Sequence, residues 1–190
     1  MTHTKTAVLM LSLGAASIYA QQRPVRMTFS GTKVATTINL GPNTRTDEAH
    51  YAGSGTLGSF TFRGLRTDEN IPQSFGSCGQ GSGPNFRVVA GAGGVFRFQN
   101  GSLLTATITG GALCVDLDHL VGHLTETYQI TGGTGRFTGA KGSITLQATL
   151  GAVVFDASNP PSPVLLTLTG QLQGTVFGAA IDDERDQERQ

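Results

Sequence analysis

The sequence has no tryptophan and little charge. Charged residues make up 14% of its 190 positions, and 13 basic residues balance 13 acidic ones; a soluble domain usually carries about a quarter. No basic stripe appears, so nucleic acid is not expected as a partner. There are two cysteines, Cys78 and Cys114, and neither has a second cysteine at zinc-ligand spacing. No apolar i, i+3, i+4, i+7 stripe of a surface helix appears after residue 20. The apolar run Ala7–Ala20 spans 14 residues, short of the ~20 that cross a bilayer, and no second run is long enough. A membrane-spanning helix is therefore not expected.

That run follows Lys5 and ends in small residues, the pattern of a secretory signal. Residues 1–20 are expected to be such a signal, cut after Ala20, with Ala16 or Ser17 as other cut points; a buried N-terminal helix is the alternative. Removing residues 1–20 takes away one lysine and no acid, leaving 12 basic and 13 acidic residues. Export places the protein outside the cell or in a periplasm, where Cys78 and Cys114 would form a disulfide; two buried thiols are the alternative.

Glycine is abundant, 27 of 190 against an average of ~7%, and it is spread along the chain with Thr and Ser. Most of the sequence after the signal reads at period two. Strands are expected over 27–40, 56–66, 86–99, 112–117, 119–131, 142–151, 152–156 and 164–178, with 41–55 and 67–85 as loops. Asn100-Gly101 between "VFRFQ" and "SLLTATIT" predicts a type I′ hairpin with Phe98 opposite Leu103. Seven to nine short strands joined by Gly, Asn and Pro turns imply one all-β antiparallel domain, a barrel or sandwich, over residues 25–178. Residues 179–190 form a charged tail.

The stretch "YQITGGTGRFTGAKGSITL" (128–146) decides between a phosphate cradle and a turn. A cradle needs a helix after the glycines. Here Ile144, Leu146, Ala148 and Leu150 alternate with Ser143, Thr145, Gln147 and Thr149, which is a strand. Gly132, Gly133, Gly135, Gly139 and Gly142 therefore build a tight connection, and Phe137 is expected to plug one end of a barrel. This stretch resembles the hairpin of the allene oxide cyclase and dirigent-type barrels, most of all their bacterial secreted members. The match is specific over 120–146 and diffuse elsewhere. The resemblance implies an eight-stranded, calycin-like antiparallel barrel with a central cavity, no cofactor, and a dimer or trimer. It also implies a pocket for a reactive lipid-like or aromatic molecule, since plant members cyclise a fatty-acid epoxide or steer phenoxy radical coupling.

On strand 119–131 the even positions are apolar except Glu126. A carboxylate there must pair, surface at a rim, or hold a proton. Glu126 is the candidate catalytic group, with Tyr128 as its hydrogen-bond partner; the alternative is a rim position or a salt bridge to an arginine such as Arg63 or Arg97. Arg63, Arg66, Arg87 and Arg97 lie on strands with Phe neighbours. Of these, Arg63 and Arg97, with Phe60 and Phe62, are the candidate ligand-binding residues, solvent exposure being the alternative. Asp116 and Asp118 fall on one face and His119 and His123 on the other, which does not converge on a metal. No G-x-S-x-G elbow is present. Two functions follow. One is a secreted barrel binding a small apolar molecule in a cavity of ~300 Å³ or more, with a cofactor-free cyclase or isomerase as its enzymatic form. The other is a non-catalytic scaffold with a packed interior that acts through its loops.

Overall fold

The computed structural model describes residues 22–69, 85–116, 119–158 and 163–179, without the side chains of 85–87. The expected signal peptide, Cys78 and the tail beyond residue 179 lie outside the described residues. Eight strands form a closed antiparallel barrel in sequence order: β1 (Gln22–Ala35), β2 (Thr44–Gly55), β3 (Phe60–Glu69), β4 (Asn85–Phe98), β5 (Leu103–Asp116), β6 (Val121–Gly133), β7 (Lys141–Phe155) and β8 (Pro163–Phe177). The ladder between β1 and β8 closes the sheet, so none of these eight strands leaves an edge open to pair with another chain.

Period-two alternation sets which residues face in. Val25, Met27 and Phe29 of β1, Phe60 and Phe62 of β3, and Ile144, Leu146, Ala148 and Leu150 of β7 are buried, as are Leu168, Leu172 and Val176 of β8. The outward positions between them on β7 and β8 are largely Thr, Ser and Gln. This amphipathic alternation is the main stabilising pattern, since each fully buried Leu, Ile or Phe contributes roughly 1.5–3 kcal/mol.

Several expected boundaries shift. Residues 44–55 are strand β2 and not loop. Its inward row is Asp47, Ala49 and Tyr51, so charge and small size hide the alternation. The two segments expected on either side of Gly110 are one strand, β5, kinked where its register with β6 slips between Ile108 and Gly110. Residues 142–155 likewise belong to one strand, β7, irregular between Ala152 and Val154. At the other end of β6, Leu120 sits in a turn with φ of 55°, so the strand starts at Val121.

The Asn100-Gly101 hairpin forms, but not as type I′. Gly101 has φ of 81°, and Asn100 is not among the residues with positive φ. The Gly101 N–H donates to the Phe98 carbonyl, and the Phe98 N–H donates to the Ser102 carbonyl, both at 2.9 Å. That is a three-residue loop with a left-handed glycine, the type I plus bulge geometry. Leu103 therefore pairs with Arg97 rather than Phe98.

The barrel has two unlike ends. At one, the β2–β3, β4–β5 and β6–β7 turns meet. At the other lie the β1–β2 turn, the last residues of β3, β5 and β7 and the first residues of β4, β6 and β8. The first end is plugged. Gly135–Phe137 forms a single 3₁₀ turn that buries the Phe137 ring completely. That ring lies 4.6 Å from the Phe98 ring, and the Arg136 guanidinium sits over both, 4.9 and 4.7 Å from their centres. Arg136 also donates to the Leu57 carbonyl and so ties the β6–β7 turn to the β2–β3 turn. Gly135 and Gly139 take φ of 60° and 74°, which only glycine adopts at little cost. At Gly133 a side chain would run into the Leu103 carbonyl and Phe137. Gly132 and Gly133 end β6, and Gly142 is the second residue of β7. The glycine-rich stretch is thus a turn followed by a strand, as expected.

Candidate functional site

The predicted parity of β6 holds. Leu124, Glu126, Tyr128 and Ile130 point into the barrel, while His123, Thr125, Gln129 and Thr131 point out. Glu126 is 2% exposed and lies at neither rim. Its carboxylate accepts a hydrogen bond from the Tyr128 hydroxyl at 2.7 Å. Its ionic partner is Arg66, whose Nε lies 3.3 Å from Oε1.

The pairing with Arg63 or Arg97 is therefore corrected. Both face outward: Arg63 is exposed and pairs with Glu48 at 2.7 Å, and Arg97 is exposed on β4. On β3, Arg66 shares parity with Phe60 and Phe62, whereas Arg63 shares it with Thr61. Phe60 and Phe62 do face the interior. Tyr51 stacks on Phe62 with ring centres 4.4 Å apart, and Phe96 lies 4.7 Å from Phe62.

Glu126 ends a chain of charged groups that starts near the end opposite the Phe137 plug. Arg45, partly exposed, donates to Asp47 at 3.1 Å and to the Pro163 carbonyl at 2.6 Å. The other Asp47 oxygen meets Lys33 Nζ at 2.7 Å, and Lys33 lies 3.8 Å from Asp68. Arg66 donates to both oxygens of Asp68 and faces Glu126. Lys33, Asp47, Arg66, Asp68 and Glu126 are all buried. Sequence reasoning missed Lys33, Asp47 and Asp68. The available signal was parity, because Lys33 follows Met27, Phe29 and Gly31 on one face of β1, and Asp68 follows Arg66 on β3.

Burial and pairing pull these groups in different directions. Burial pushes the Glu126 carboxyl above the usual carboxylate range, against the opposing pull of Arg66 and the Tyr128 hydrogen bond. For Asp47 burial works upward too, but Lys33, Arg45 and Arg66 outweigh it and hold the group low. Burial, then the neighbouring Arg66 charge, lowers Lys33. Both tyrosines are raised, first by burial and then by Glu126. Arg66 stays charged: burial opposes this, but Asp68, Glu126 and Asp47 prevail.

The raised Glu126 carboxyl gives a testable pH dependence. When the folded-state value exceeds the unfolded one, the native protein binds the extra proton. That contribution to stability is complete below the unfolded value of ~4.3 and is lost as pH rises through the folded value. Glu126→Gln removes it. Across that window the wild type should lose stability relative to Glu126→Gln by up to one proton equivalent, ~1.4 kcal/mol per pH unit. Urea midpoints of the two proteins measured from pH 4 to 8 check this; parallel curves would refute it.

Tyr51, Phe62, Leu124, Arg66, Glu126 and Tyr128 are among the residues lining a cavity of about 10 Å³, room for one water. The expected cavity of ~300 Å³ beside Glu126 and Tyr128 is thus not found among the described residues. Aromatic side chains fill that space, and the Phe62 ring lies against Gly64 and Gly94. A broader depression of about 500 Å³ lies outside, on the Thr- and Gln-rich face of β6, β7, β8 and β1.

Among the described residues no group of three or more His, Cys, Asp or Glu side chains is placed to hold a metal ion. His119 pairs with Asp116 at 2.7 Å in the β5–β6 turn, His123 points outward from β6, and Asp118 lies outside the described residues. No helix among the described residues is long and apolar enough to cross a membrane, which says nothing of membrane β-barrels.

No protein-family profile matches the chain, and no curated protein does. Among solved structures, the chain is similar to a pterocarpan synthase dirigent protein, at 13% identity and a TM-score of 0.41, over 92% of this chain and 100% of that one.

Proposed function

We propose that the protein is a small-molecule-binding barrel whose ligand is an apolar, largely aromatic body carrying one polar function, received at the end opposite the Phe137 plug. The observation that carries this reading is the charged chain from Arg45 to Glu126 inside an otherwise apolar barrel. Burying five ionisable groups is expensive, and a well-packed apolar core of the same volume is often as stable or more so. Buried polar atoms in a purely structural network are normally all hydrogen-bonded, yet here Arg66 Nη1 and Glu126 Oε1 are not. Around this end the described residues expose the apolar side chains Val34, Ile38, Leu40, Leu120, Val153 and Val154. Val34 and Val154 both pair with Leu165 across β8, so the rim is continuous on that side. Seating such a ligand requires side chains that line the small cavity, such as Leu124 and Leu168, to move aside.

In its enzymatic form the reading makes Glu126 a proton donor or acceptor, with Tyr128 orienting it, for a cofactor-free isomerisation or cyclisation. The test is a titration of the chain with a panel of phenols and unsaturated fatty acids. Saturable one-to-one binding that Glu126→Gln weakens supports the site; binding that Glu126→Gln leaves unchanged removes Glu126 from it.

The filled interior favours a second reading, a scaffold that acts through its loops. No saturable binding by any member of the panel would select it. Secretion, bacterial origin and a dimeric or trimeric assembly belong to the proposal on the strength of the N-terminal pattern and the hairpin resemblance. So does the Cys78–Cys114 disulfide, whose second cysteine lies on β5. Labelling the unreduced protein for free thiols should find none; two reactive thiols after unfolding would refute the pairing.

A further inference from the structure

We propose that the cavity between Tyr51, Arg66 and Glu126 is a seat for a single neutral oxygen atom, held by a water in the free protein and by a ligand hydroxyl when one binds. Two buried polar atoms, Arg66 Nη1 and Glu126 Oε1, lack a hydrogen-bond partner within the protein, and the Tyr51 hydroxyl has only that of Tyr128 near it. Glu126 Oε1 has only the charge contact with Arg66 Nε. All three residues line the one cavity of about 10 Å³. Leaving such atoms unpaired is costly, and a polar cavity of this size holds one water with two to four partners.

Size and charge decide the occupant. The space admits one non-hydrogen atom of a guest. Arg45, Lys33 and Arg66 face Asp47, Asp68 and Glu126, three cations against three carboxylates, so the surroundings stay within one charge of neutral whether or not Glu126 holds a proton. Neither an anion nor a cation is favoured. Hydrogen-bond roles narrow it further. Arg66 can only donate, and an ionised Glu126 can only accept. A hydroxyl accepts from the first and donates to the second. A carbonyl only accepts and leaves Glu126 Oε1 unmatched. The seat thus selects an alcohol or phenol over an aldehyde or ketone.

The water half of this inference stands without any ligand; the hydroxyl half rests on the reading proposed above. A crystal structure of the full chain at about 1.5 Å tests the first. An ordered water within hydrogen-bonding distance of Arg66 Nη1 and Glu126 Oε1 is expected, and an empty cavity overturns the seat. Titrations with 2-naphthol, 2-naphthaldehyde and naphthalene test the second. 2-Naphthol should bind about tenfold tighter than the other two, and Glu126→Gln, whose amide can donate as well as accept, should shrink its advantage over the aldehyde several-fold. Equal affinity for all three overturns the hydroxyl preference. If none binds, the small-molecule reading fails, while the water in the crystal still decides the seat.

Discussion

Replacing Arg66 by methionine should cost the fold about 3–5 kcal/mol, the usual penalty for removing one partner of a buried ion pair. At this chain length that lowers the melting midpoint by roughly 6–20 °C. Methionine fills much of the volume, so the loss comes mainly from charge. Asp68 would keep only Lys33, at 3.8 Å, and Glu126 would keep only the Tyr128 hydroxyl. Both carboxylates would remain buried. The variant should therefore recover relative to wild type as pH falls and the Glu126 carboxyl, already pushed up by burial, takes up its proton, and adding Glu126→Gln to it should restore part of the loss. Arg63→Met, three residues earlier but on the outer face with an exposed partner, should not measurably move the midpoint. Thermal melts of the four proteins at pH 4 and pH 7 check all of this. Equal, small effects at Arg63 and Arg66 would mean that the interior charges do not support the fold.

That contrast also shows what the sequence could and could not reveal. Wherever inward positions are large and apolar, as on β6, β7 and the first half of β1, alternation discloses strand and face together. The inward position of Glu126 and its Tyr128 partner follow from it. Alternation fails where the barrel turns polar inside. On β2 the inward residues Asp47 and Ala49 look like loop, and on β1 Lys33 looks like a surface lysine. Their burial depends on partners contributed by other strands: Asp47 lies opposite Arg66 in the β2–β3 ladder, and no local pattern encodes that pairing. Strict parity on β3 would have chosen Arg66 over Arg63. The volume beside Glu126 was beyond any such rule, because it depends on how Tyr51, Phe62 and Phe96, from three different strands, stack together.

Phe137→Ala should be about as damaging, at roughly 3–5 kcal/mol, the range for deleting a fully buried aromatic ring. The cause differs. Phe137 is the one large apolar residue in the β6–β7 connection, and its ring is fully buried against Phe98. Removing it leaves a void at the plugged end and takes from Arg136 one of the two rings it covers. Leucine at 137 should recover part of the loss, since it refills part of the volume. Hydrogen exchange should localise the change to the 98–103 and 134–140 turns, joined by the Thr134 N–H to Leu103 carbonyl bond at 2.9 Å. The chain from Arg45 to Glu126, at the other end, should keep its protection. Were the glycines an anion cradle instead, phosphate or a nucleotide would stabilise the wild type by mass action. A plug predicts no such stabilisation, because the backbone that follows it enters strand β7 and offers no helix N-terminus to an anion. A thermal-shift measurement of the wild type with and without phosphate and ATP separates the two, and a midpoint that rises with anion concentration would overturn the plug as the loop's whole role.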